Sequence, residues 1–392
     1  MLAFLAQRSR DLNLAQDALA DAFESALETW PKRGVPERPE AWLLTAARRR
    51  LVDGSRRDGV RDRMAMPLYV AAEAAEERAW ADVPFPDERL GMLFACAHPA
   101  IDVAVRAPLL LRVVLGVDAG RIANAFLVSP EAMRQRLVRA KAKIRAAGIA
   151  LEVPSASAAQ ERLADVLDAI YAAFGLSWEE PGIDGGADDL AQEALYLGRT
   201  IVDLMPREPE ARGLLSLMLF VESRRDARRD AEEAYVPLDL QDPARWSQPL
   251  IAEAELTLRR AGTHAIGRFQ LEAAIQSAHA GRARGNEADW TAIAELYDAL
   301  VARTDALGAA VACAAAHGRA YGAPAALRVL DALDAGRSAG YQPYWAVRAH
   351  YTNDPADYDR AIGLCTSAAS RSFLASAREA ALDAGEPNRS RL

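Results

Sequence analysis

Between Gly116 and Arg145 the chain reads GVDAGRIANAFLVSPEAMRQRLVRAKAKIR, and its polar side chains are those best suited to chemistry with a polyanion. Arg134, Gln135, Arg136, Arg139, Lys141 and Lys143 fall outside the stripe formed by Met133, Leu137 and Ile144 on an expected helix. On such a helix the N-terminal side chains reach base edges in the major groove, and the later cations hold phosphates. The elements that must position them are legible. Asp118 is an N-cap for a preceding helix whose Ile122, Ala123 and Phe126 face inward, and Leu127-Val128 makes a tight turn. Ser129 caps the second helix, and Pro130 occupies its first turn, where a missing N–H costs nothing. The pattern is a helix-turn-helix. Its structural alternative is a basic amphipathic helix in an ordinary bundle.

The net charge of −8 over 392 residues argues against nucleic acid, but the charge is unevenly spread. Residues 1–150 hold 23 Lys+Arg against 19 Asp+Glu, and the remainder holds 24 against 36. A second basic run, Arg48 to Arg63, carries seven arginines. A +4 front and a −12 rear suggest a nucleic-acid-binding part followed by a solvated or regulatory one.

Alanine and leucine recur at three-to-four-residue spacing, broken by Pro, Gly and Asn, with no alternating strand pattern, so the fold expected is all-α. At 51% hydrophobic residues disorder is excluded, and no apolar stretch is long enough to cross a bilayer. The N-terminus, MLAFLAQRSRDLNLAQDALADAF, has neither a basic n-region nor a small-residue cleavage site. Cys96, Cys313 and Cys365, odd in number and far apart, make neither a disulfide framework nor a zinc site, which points to a reducing, cytoplasmic setting. Residues 1–30 read as one or two helices, 31–40 (PKRGVPERPE) as a loop and 41–57 as a helix. A linker follows to residue 86, with room for a short helix.

AWLLTAARRRLVDGSRR (41–57) resembles the region-2 helix of extracytoplasmic-function RNA polymerase sigma factors. FPDERLGMLFACAHPA together with AFLVSPEAMRQRLVRAKAKIR resembles their region-4 helix-turn-helix. With ADWTAIAELYDAL and APAALRVLDAL further on, the chain is similar to the subgroup that carries a tetratricopeptide-like C-terminal extension. The resemblance implies region 2 over 1–62, a linker at 63–86, region 4 over 87–148, a linker at 149–160 and a helical regulatory domain over 161–392. It also implies promoter-specific transcription initiation with core RNA polymerase, bound at its clamp and flap. Asp17, Asp21 and Phe23 of DALADAF would meet the clamp, and the 31–40 loop with Lys32 and Arg33 would capture a flipped base of the −10 element. Arg48, Arg49, Arg56 and Arg57 would hold the opened strand, with Trp42 read as a core anchor. Arg134, Gln135 and Arg136 would read the −35 element, while Arg139, Lys141 and Lys143 contact the backbone. Ala20, Arg121 and Ala132 depart from the residues usual in the family, and Met1 falls inside its first helix.

Residues 290–335 look like a helical repeat unit, expected to pack against the helices at 161–220, and 358–382 reads as another, capping unit. The segment 234–262, with Pro237, Pro243 and Trp246 in a loop before a helix, is a candidate contact with the sigma domains. The acidic balance of the chain beyond residue 150 suggests competition with promoter DNA, or a role in holding the two sigma domains in one arrangement. A protein partner for this domain is expected; a cofactor or membrane is not. Five scattered histidines without H-E-x-x-H, G-x-S-x-G or a phosphate-binding glycine loop give no basis for an enzyme. Cys96-x-His98 reads as a buried thiol and a helix-ending histidine rather than as metal ligands. Two further readings remain: a DNA-binding regulator without productive polymerase engagement, and a helical-repeat adaptor whose basic helices only solvate it.

Overall fold

The computed structural model describes residues 1–58, 88–146, 154–179 and 186–385, apart from positions 10, 38, 127, 232, 233, 265 and 367. The expected 63–86 linker, the turn residue Leu127 and the C-terminal RSRL lie outside the described residues. The described residues are helical and irregular, with one isolated bridge between Arg229 and Tyr235, so the protein is all-α. They form two compact units, Met1–Leu204 and Met205–Leu392.

The first unit begins with α1 (Leu2–Ser9), α2 (Leu12–Arg33) and α3 (Pro39–Asp58). The Asp11 carboxylate starts α2 by accepting the amides of Asn13 at 2.8 Å and Leu14 at 3.2 Å. Ala15, Ala18, Ala22 and Ala26 form the buried stripe on which α3 packs closely. The loop expected over 31–40 is shorter. Pro31, Lys32 and Arg33 continue α2, and α3 already starts at Pro39. Proline removes only the bond to the Leu27 carbonyl, and Leu27 is 78% exposed, so water can take that acceptor. Gly34, at φ 83°, then ends the helix by donating its N–H to the Trp30 carbonyl.

Next come α4 (Glu88–Cys96), α5 (Val103–Val113), α6 (Ala119–Ala125) and α7 (Pro130–Ala146), followed by α8 (Ala156–Glu179) and α9 (Gly186–Leu204). Fully buried Leu90, Met92, Leu93, Phe94, Leu109, Leu110 and Leu111 form the middle of this core. Helix α8 touches α4, α5 and α6, and it begins at Ala156, inside the expected linker. The packing therefore divides the chain after Leu204, with α8 and α9 grouped with the helix-turn-helix segment. Polar anchors accompany the grouping. Arg106 Nη1 lies 2.8 Å from Asp165 Oδ2, Arg162 Nη1 donates to the Phe94 carbonyl at 3.2 Å, and Arg89 pairs with Glu193.

The second unit comprises α10 (Pro209–Glu222), α11 (Gln248–Ala261), α12 (Arg268–Ala280), α13 (Trp290–Val301), α14 (Leu307–Tyr321), α15 (Ala323–Asp331), α16 (Ala335–Ser338), α17 (Gln342–Thr352), α18 (Pro355–Gly363) and α19 (Ala368–Gly385). Of the helices at 161–220, α10 alone belongs to this unit. From α12 onward the contacts are mostly between helices adjacent in sequence. Gly213 lets α10 approach α12 closely, since a Cβ there would sit 2.6 Å from the Gln270 amide nitrogen. The Glu210 carboxylate accepts the Phe269 and Gln270 amides at 2.9 and 3.1 Å, satisfying the N-terminus of α12. Between α10 and α11 the irregular segment is tied down by Arg282, which donates to the carbonyls of Leu238 at 2.7 Å, Asp239 at 3.1 Å and Gln241 at 3.2 Å. The same guanidinium lies over the buried Trp246 ring, 5.4 Å from its centroid.

Candidate nucleic-acid interface

The helix-turn-helix is built as its capping residues predict. Asp118 Oδ1 accepts the Gly120 amide at 2.7 Å to start α6, and Ile122 and Ala123 are fully buried. Ser129 Oγ accepts the Ala132 amide at 3.2 Å to start α7, with Pro130 at its first position. Met133, Leu137 and Ile144 face the core. Arg134, Gln135, Arg139 and Lys143 are exposed, whereas Arg136 is half-buried. At the start of α7 the Glu131 carboxylate accepts Arg134 Nη2 at 2.8 Å and Gln135 Nε2 at 3.0 Å. The Arg134 hydrogen bond, followed by that of Gln135, holds the Glu131 carboxyl below its ordinary range. All three side chains are exposed, so an incoming phosphate or base edge competes with a hydrated pair.

Lys141 departs from the expected free cation. Its Nζ donates to Gln16 Oε1 at 2.8 Å, which ties α7 to α2 across 125 residues of sequence. Burial, then Arg112, lowers its ammonium below the ordinary lysine value, while the charge of Asp17 opposes them. Lys141 is one helical turn beyond Leu137, on the flank of the buried stripe, and that position turns it toward the protein.

On α2, Asp17 and Phe23 are exposed, and Asp21 is half-buried with Oδ2 3.8 Å from Arg50 Nε. Leu27 joins these residues at the surface. One turn beyond Phe23, which is 44% exposed, it extends an apolar ridge flanked by Glu24 and Glu28. Its signal was the i,i+4 pair Phe23/Leu27 lying off the alanine stripe. Lys32 and Arg33 are exposed at the end of α2, and Arg48 and Arg49 on α3, with the Arg48 guanidinium 4.7 Å from the Phe4 ring centroid. Arg56 and Arg57 lie on α3, and their side chains are outside the described residues. Trp42 is half-buried, edge-on to Trp30 at 5.6 Å between centroids.

Cys96 is fully buried, and burial pushes its thiol up to about 12. His98 Nδ1 accepts the Ala100 amide at 3.1 Å, and burial lowers its basicity. The pair lies at the end of a helix.

Residues 162–262 match a family of unknown function (DUF6596). No solved structure matches the chain. An uncharacterized protein of Rhizobium meliloti (strain 1021) is 36% identical over 379 residues, covering 93% of this chain and 89% of that protein. At that identity over nearly the whole of both chains, the protein described above belongs to the same family as this Rhizobium meliloti protein.

Proposed function

We propose that the protein is a promoter-specific transcription initiation factor of the extracytoplasmic-function sigma type, working in the cytoplasm with core RNA polymerase. The observation that carries this reading is the capped helix α7, which presents Arg134, Gln135, Arg139 and Lys143 together to solvent at the end of a helix-turn-helix. Arg134 exchanges Glu131 for a base edge of the −35 element, Gln135 and Arg136 read beside it, and Arg139 and Lys143 neutralise phosphates. The Phe23/Leu27 ridge with Asp17 and Asp21 supplies the polymerase-facing surface. Lys32, Arg33, Arg48 and Arg49 lie on the helices before and after residues 34–37, where cations help offset the few kcal/mol needed to unstack a −10 base. The protein recruits and positions; bond-making belongs to the polymerase.

One observation favours a second reading, a DNA-binding regulator without productive polymerase engagement. Lys141 and Gln16 join the reading helix to the polymerase-facing helix, so α2 is partly occupied from within.

Run-off transcription with purified core polymerase on promoter fragments from the source genome separates the two. Initiation that requires this protein and falls about tenfold or more in Arg134→Ala/Arg136→Ala is expected, since each good base contact contributes about 1–3 kcal/mol. Salt-sensitive DNA binding without initiation on any fragment would replace the sigma reading with the regulator. Absence of DNA binding would leave the adaptor.

A further inference from the structure

Two side chains set aside as scattered in the sequence converge with a third in the second unit. Cys313 and His317 lie one turn apart on α14, and Asp298 faces them from α13. Cys313 Sγ is 3.4 Å from Asp298 Oδ1, and His317 Nε2 is 2.9 Å from the same oxygen. The ligating atoms of all three lie within 4.8 Å of one another.

We propose that Asp298, Cys313 and His317 bind one divalent transition-metal ion of the zinc and cobalt class. With bonds of about 2.0–2.3 Å to sulfur, nitrogen and oxygen, the ligands of a tetrahedral ion lie roughly 3–4 Å apart, and these three atoms are already near that spacing. The donor set selects the ion. Thiolate and imidazole suit zinc-like ions, whereas magnesium and calcium take oxygen ligands. A thiolate and a carboxylate together neutralise a dication, so a neutral complex forms at the edge of the core, where Cys313 is buried and Asp298 reaches solvent. Binding exchanges the thiol proton for the metal and releases it to solvent.

A fourth ligand position has room. A cavity of about 500 Å³ is lined by Cys313 and His317 together with Arg328, Val329 and Leu333. Three protein ligands plus an open position facing a cavity is the arrangement of an accessible metal site rather than a closed structural one. Arg328 adds a positive charge to that cavity, which suits water or a small anion as the fourth ligand.

A nucleophilic cysteine is the competing chemistry, and the geometry disfavours it. The carboxylate sits between thiol and imidazole, so the group that faces the sulfur is an anion, which opposes a thiolate. Burial and the neighbouring Asp298 push the thiol up to about 12. A bound cation reverses that cost by stabilising the thiolate directly.

The test is a Co²⁺ titration of the untagged, metal-stripped, reduced full-length protein, followed by absorbance. One equivalent is expected to give a sulfur-to-cobalt charge-transfer band with tetrahedral visible bands, all displaced by Zn²⁺. Cys313→Ser should lose the charge-transfer band. His317→Gln and Asp298→Asn should weaken binding by about tenfold or more. Asp298 is exposed, so Asp298→Asn tests the site even if the buried cysteine variant fails to fold, with far-ultraviolet circular dichroism confirming each fold. No charge-transfer band in wild type would overturn the site, as would a band that survives in folded Cys313→Ser or affinity unchanged in folded Asp298→Asn and His317→Gln. None of these outcomes depends on whether the first unit engages polymerase.

Discussion

Replacing Arg106 with alanine is expected to lower the unfolding free energy of the first unit by about 1–3 kcal/mol, between the range for an exposed ion pair and that for breaking one side of a buried one. Every donor group of this guanidinium is engaged. Nη1 meets Asp165 Oδ2 at 2.8 Å, Nε donates to the Ile101 carbonyl at 2.9 Å, and Nη2 donates to the Pro99 carbonyl at 3.0 Å. The side chains of the pair are 14% and 20% exposed, so solvent screens them only in part. Alanine leaves the Asp165 charge without that partner and two turn carbonyls short of a donor. It also releases the turn between α4 and α5 from α8. Urea unfolding of Arg106→Ala, Asp165→Asn and the double variant measures the coupling. A loss below about 1 kcal/mol in Arg106→Ala would show that the pair is solvated like a surface one.

Acidification should selectively destabilise the second unit through His279. This imidazole is 6% exposed, its Nδ1 has no hydrogen-bond partner among the described residues, and its ring stands edge-on to Trp290 at 5.3 Å. Burial first, then the charge of Arg224, lowers its pKa from 6.5 to about 4; Arg282 acts in the same direction, and Asp239 opposes them. The sign follows from proton uptake. Below pH 6.5 the unfolded chain takes a proton at this residue, and the folded chain does so only near pH 4, so the unfolded state binds more protons between those values. Stability contributed by neutral His279 is therefore complete above pH 6.5 and lost as pH falls toward 4, by up to about 3 kcal/mol. His279→Gln does not titrate in this range. The difference in unfolding free energy between wild type and this variant should slope by about 1.4 kcal/mol per pH step through the window. A difference that stays flat from pH 7 to about pH 4 would assign the acid sensitivity elsewhere.

The parts of the fold legible in the sequence are those fixed by local rules. Asp118, Ser129 and Pro130 mark their helix starts because capping involves residues two or three apart, and Met133, Leu137 and Ile144 mark a buried face through their period. What escaped depends on partners distant in sequence. Lys141 looks like any other cation of α7 until Gln16 is brought beside it. Asp165 and Glu193 look like part of a diffuse acidic rear, yet they meet Arg106 and Arg89 and group α8 and α9 with the first unit. Pro31 reads as a loop residue in sequence because its effect depends on whether the deprived carbonyl faces water, and here that carbonyl belongs to exposed Leu27. Cys313 and His317 carried a one-turn spacing that sequence could show, but their meaning needed Asp298 from another helix.

The three carbonyls held by Arg282 bear on how the second unit opens. Arg282 lies immediately after α12, and the carbonyls it grips belong to a segment more than forty residues earlier. Fraying at the end of α12 must therefore free the 238–241 stretch in the same event. Amide hydrogens in the two places should exchange with solvent as one cooperative group, sharing one opening free energy, although nothing in the linear order of the chain connects them.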